Sequence, residues 1–181
     1  MTAETVLSVE ERLRQLLSQL GIDQAHFAGW LARDWTGLAA KCPEVFSSLT
    51  VIGGFDPQTV EHLATKLLAV TGDQGPIAEA MRGAMNRLPG AQLVSLRDYE
   101  IFAWSDVAAE RTRELGAAML QFLARTTPPA TQSSVQLREG DGEVAGISYR
   151  IRGAGPPLVL LPFFLAPSQW EPLVPLLNEH S

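Results

Sequence analysis

Apolar positions in the first twenty residues recur at helical spacing. Val9, Leu13, Leu16, Leu17 and Leu20 fall on one face, which predicts an amphipathic helix. Ser8 and Glu11 have the spacing of a capping box, and Gly21 follows as a stop. The pattern then changes to short, continuous apolar runs. His26-Phe27-Ala28-Gly29-Trp30, Ser48–Ile52, Leu67–Thr71, Ala91–Leu96 and Leu158–Leu161 read as strands. Between them lie helical patterns: about 32–41, closed by Pro43; Ile77, Met81, Ala84, Met85 and Leu88; and Val107, Leu115, Met119 and Phe122 behind a capping Asp106. The stretch Asp56–Leu63 is too short for more than a connector or a helical turn. Strands alternating with helices predict an α/β fold, a mostly parallel sheet with helices on both faces. Strands read as continuous apolar runs suit burial on both sides.

The tail differs. Thr126–Ser134 is polar and Pro-rich and reads as a linker. After it, Val135–Arg152 suggests a β-hairpin turning at Gly140–Gly142. Ser168 and Glu171 have capping-box spacing ahead of Trp170, Leu173, Val174 and Leu177. The expected organisation is 1–125, a linker over 126–134, and 135–181.

Composition narrows the function classes. Apolar residues make up 46% of the 181, enough for a substantial core. The net charge is -6 and no basic stripe occurs, which argues against nucleic acid as a partner. The longest apolar runs are too short to span a bilayer, and the N-terminus lacks a signal pattern, so a cytoplasmic protein is expected. Cys42 is the single cysteine, and His26, His62 and His180 lie far apart. No metal site and no cofactor are expected. Twelve of the 14 basic residues are Arg, as a GC-rich bacterial genome would give.

Three segments carry a resemblance. LGIDQAHFAGWLARDWTGLAAKCPEVFSSLTVIGGF resembles the strand, sharp turn, helix and next strand around a nucleophile elbow. KLLAVTGDQGP resembles the strand and loop that carry a catalytic acid, and PGAQLVSLRDYEIFAWSD those that carry a histidine. In this order they resemble the α/β-hydrolase family. GEVAGISYRIRGAGPPLVLLPFFLAPSQWEPLVPLL resembles the opening hairpin, core strand and first helix of the same fold. It is also similar to hydrolase-like segments placed ahead of methyltransferase domains. The resemblance therefore implies either tandem incomplete units or C-terminal strands that pack back beside the first part.

The resemblance puts Leu31 at the nucleophile position, Gly75 at the acid position and Ile101 at the histidine position. Pro162-Phe163-Phe164 stands where a His-Gly pair helps form the oxyanion hole. None of these residues can do the chemistry. The family's helical lid is also missing between the second and third strands. The expectation is an inactive member with a ligand-binding or interaction role. Trp30, Leu31, Asp73, Gln74, Phe102, Trp104, Phe163 and Phe164 form its candidate pocket, open to a small apolar ligand or filled as core together with Trp35. Two alternatives stand beside it. One is an ester hydrolase with unusual catalytic residues such as Asp73, Ser105 and His26. The other is a truncated module of a larger multidomain protein. An incomplete sheet would also leave an edge through which the chain could form a homodimer.

Overall fold

The computed structural model describes residues 7–30, 33–126, 137–163 and 165–179. Helix α1 (Val9–Gln19) starts at the expected cap: Ser8 Oγ accepts from the Glu11 N–H, and Glu11 accepts from the Ser8 N–H at 2.8 Å. Leu13, Leu16 and Leu17 are its buried face. Strand β1 (Ala25–Gly29), helix α2 (Arg33–Lys41), β2 (Phe46–Ile52) and β3 (Leu67–Gln74) follow, then α3 (Gly75–Met85) and β4 (Gln92–Glu100). The β2–β3 connection is two short 3-10 helices, Pro57–Thr59 and Glu61–Lys66. Helices α4 (Val107–Glu110) and α5 (Thr112–Thr126) come next. The hairpin β5 (Gly140–Val144) and β6 (Ile147–Ile151), strand β7 (Leu158–Leu160) and helix α6 (Val174–Asn178) complete the order.

Five strands form one sheet in the order β4-β3-β2-β1-β7, every pair parallel. The chain steps outward from β1 to β4, and its C-terminal strand then pairs on the other side of β1. His26 lies opposite Leu158, and the Leu161 N–H donates to the Ala28 carbonyl at 2.8 Å. Side chains alternate between two cores, as the pleat requires. Phe27, Leu49, Val51, Leu67 and Leu161 pack with α1 and α2. Ala28, Ile52, Leu68 and Val70 pack with Val107, Leu115, Met119, Phe122 and Leu173 on the opposite face. Helices thus flank both faces of a parallel sheet.

Two local expectations are corrected. The hairpin turns at Ala145-Gly146, not at Gly140–Gly142: Val144 pairs with Ile147, and both turn residues have positive φ, 51° and 70°. That is the left-handed pair which a two-residue hairpin loop needs. Gly142 is instead within β5 opposite Tyr149, whose phenol ring covers it. Arg12 fastens the turn to α1 by donating to the carbonyls of Ala145 and Gly146. The second correction concerns Ser168. It lies inside a 3-10 helix, Pro167–Trp170, and does not cap. Gln169 instead reaches back to accept from the N–H groups of Leu165 and Ala166, at 3.0 and 3.2 Å.

Candidate functional site

In open parallel sheets, ligands bind beyond the C-terminal strand ends, where the strand order reverses. Here that place lies between the ends of β1 and β7. Packed aromatic side chains occupy it. Phe163, 8% exposed, stacks on Trp170 at 4.1 Å, and Trp170 Nε1 donates to the Leu161 carbonyl at 2.7 Å. The ring of Trp30 lies over Gly53, where it takes the space a side chain would need. Leu31 and Phe164 lie outside the described residues, as does the side chain of Trp35.

Gly75 opens α3 at φ 78°, and a methyl group added there would overlap the Glu100 carboxylate. Pairing of Gln74 with Glu100 at the ends of β3 and β4 sets this contact. Ile101 is 1% exposed and belongs to the same apolar core as Phe163, with Trp30 packed against it. The structure therefore brings Ile101, Phe163 and Trp30 together as core.

Asp73 serves the backbone. Its carboxylate oxygens accept from the N–H groups of Asp98 and Tyr99, at 3.1 and 3.2 Å. These bonds hold its carboxyl below the ordinary aspartate range. They also fix an irregular step in β4, where Asp98 has φ 52°. Gln74 precedes α3 without capping it through its side chain.

Asp73, Ser105 and His26 are each engaged separately. Ser105 Oγ accepts from the Phe102 N–H at 2.9 Å. His26 is buried within the sheet, and its Nδ1 lies 2.7 Å from Ser48 Oγ on the neighbouring strand. Burial lowers its pKa, so the neutral imidazole is favoured.

Phe102 and Trp104 depart from the expectation that they fill the core. They are 39% and 71% exposed and stack on each other, centroids 5.3 Å apart and planes 1° apart. Several residues around them carried no signal in the sequence. The Tyr99 hydroxyl donates to Glu110, and Arg111 sits 4.8 Å over the Tyr99 ring. Burial, then Glu110, pushes the phenol pKa up to about 12. The half-exposed run Asp98–Glu110, acidic yet aromatic, was the only available hint.

No family model, curated protein or solved structure matches the chain.

Among the described residues, no group of acidic, histidine or cysteine side chains could hold a metal ion. No described helix is long and apolar enough to cross a membrane. A groove of about 670 Å³ runs between α1 and the β5–β6 turn, lined by Glu11, Arg14, Gln15 and Ala145. It is remote in sequence from the residues at the strand ends.

Proposed function

We propose that the chain is a degenerate α/β-hydrolase-like protein that binds a partner or ligand and does not hydrolyse esters. One observation carries this reading: Ile101, which the resemblance puts at the histidine position, is an apolar side chain only 1% exposed, and it cannot shuttle a proton to a substrate. Gly75, which the resemblance puts at the acid position, combines left-handed backbone with the Glu100 carboxylate lying where a side chain would begin.

The exposed Phe102–Trp104 stack favours an interaction surface over an enclosed apolar pocket. A further surface is the free edge of β4, which pairs with β3 alone among the described strands. Pairing of that edge with a second copy would give a homodimer, read directly from the sedimentation mass.

Ester turnover tests the central reading. The purified chain and a Leu31→Ser variant are assayed over short and medium acyl esters. The expected rate for both equals that of buffer. A saturable wild-type rate, abolished by a serine-directed inhibitor, overturns the proposal.

A further inference from the structure

His26 lies at a seam of the sheet. Its N–H donates to the Pro157 carbonyl at 2.9 Å, and it stands between Ser48 on β2 and Leu158 on β7. Residues in register share a face of the sheet, so these three side chains form one row. Ala28, two residues on, packs with residues of α5 and α6, which puts His26 on that face too. The ring is buried, with Nδ1 2.7 Å from Ser48 Oγ. The cover on its other flank comes from the far end of the chain. Helix α6 returns over β7 and ends with Asn178 against Gly153, ahead of that strand. Leu177, one residue earlier, is buried in the same core as Ala28.

The charged side chains of the surrounding elements stand at the surface. Strands β2 and β7 carry none. Asp23 and Glu44, in the turns ahead of β1 and β2, are exposed, as are Arg113, Glu114 and Arg125 of α5 and Glu179 after α6. Glu171 pairs with Arg150, and Arg152, ahead of β7, pairs with Asp141. His180 lies outside the described residues. Burial makes a charged imidazole costly in this row unless water reaches it. Lifting β7 is the easiest way to let water in. That strand is three residues long and held on one side, whereas β2 is seven residues long and held between β1 and β3. We propose that His26 is an acid-sensitive latch, whose protonation releases β7 and α6 from β1 while β1 to β4 stay paired. The released form is a four-stranded sheet with the β1 edge open. The sign follows from linkage: burial lowers the pKa of His26, so the released form, with its ring hydrated, takes up the proton first as pH falls.

The test follows hydrogen exchange of the intact chain by NMR between pH 7 and pH 5, each rate divided by the intrinsic rate at that pH. Two protons report on the released part: the Trp170 indole N–H, bonded to the Leu161 carbonyl, and the Leu173 amide, bonded to the Trp170 carbonyl. The amides of the β2–β3 ladder report on the rest of the sheet. Below about pH 6.5 both reporters of release should open more often, by up to about tenfold per pH unit, as uptake of one proton requires. The β2–β3 amides should open much less. His26→Gln should flatten the dependence. His62→Gln, at a ring bonded to the Ala39 carbonyl, and His180→Gln should leave it unchanged. Three results each overturn the proposal: release independent of pH, release and β2–β3 opening that rise in parallel, or a dependence intact in His26→Gln. The first two are read on the wild-type chain, so they decide the matter even where His26→Gln does not fold.

Discussion

Two glycines of α3 should respond to the same substitution with opposite sign. Gly75→Ala places a Cβ on left-handed backbone, φ 78°, which costs about 1–2 kcal/mol. The new methyl also meets the Glu100 carboxylate, which must swing away. Reduced freedom of the unfolded chain returns about 0.4–1 kcal/mol. The net expectation is a loss of about 1 kcal/mol or more. Gly83 lies on the exposed side of the same helix, with open space where a methyl would go. There Ala adds helix propensity and should stabilise by about 0.5–1 kcal/mol. For a chain of this size, each kcal/mol moves Tm by about 2–4 °C. The two variants should therefore melt about 3–8 °C apart, on either side of wild type, in scanning calorimetry and in urea titrations. Gly75→Asp should fall at least as far as Gly75→Ala. A Gly75→Ala protein as stable as wild type would refute the steric argument.

Other outcomes follow from buried polar groups. His26 has a folded pKa below its unfolded value near 6.5. The unfolded chain therefore takes up a proton first as pH falls, so its contribution is complete above pH 6.5 and is lost below it. Urea midpoints at pH 5.5 and 7.5 should differ, and His26→Gln should shrink that difference. Thr71 Oγ1 is buried without a hydrogen-bond partner among the described residues, so Thr71→Val should raise stability by about 1 kcal/mol in a thermal melt. Trp170→Phe keeps the stack on Phe163 but strips the Leu161 carbonyl of its donor; a loss of about 1–3 kcal/mol is expected in the same assay.

The centre of the sheet was legible because β1, β2 and β3 are buried on both faces. Leu67–Val70 is apolar without alternation, and in Ser48–Ile52 only Ser48 and Thr50 interrupt the apolar residues; such runs between helical patterns admit few other readings. The cap of α1 was legible for a related reason, since Ser8 and Glu11 act on each other three residues apart. Features set by distant partners were not legible. The Asp141-Gly142 pair looks like a turn until Tyr149 is known to lie across from it. Ser168 and Glu171 match a cap, yet Pro167 starts the 3-10 turn one residue too early for them. The fate of the aromatics depended on loop geometry alone: Phe163 and Trp104 both follow strands, and one is buried while the other points outward. Asp73 reads as a strand-end loop residue in the sequence, but β3 runs on to Gln74 and contains it, and its bonds to Asp98 and Tyr99 require the neighbouring strand.

The pairing of β7 with β1 has a kinetic consequence. Strands β1 to β4 join through connections of moderate length, whereas His26 and Leu158 meet across most of the chain. Closing so large a loop delays that pairing relative to the local ones. Strand β7 is three residues long and held on one side, so it should also be the first strand to detach. Its departure would uncover the backbone of β1 and the core surface beneath Phe163, Trp170 and Leu173 while the other four strands stay paired. Hydrogen exchange should register this as early labelling at Leu161 and His26, whose amides bond across that seam, at times when the β2–β3 amides remain protected.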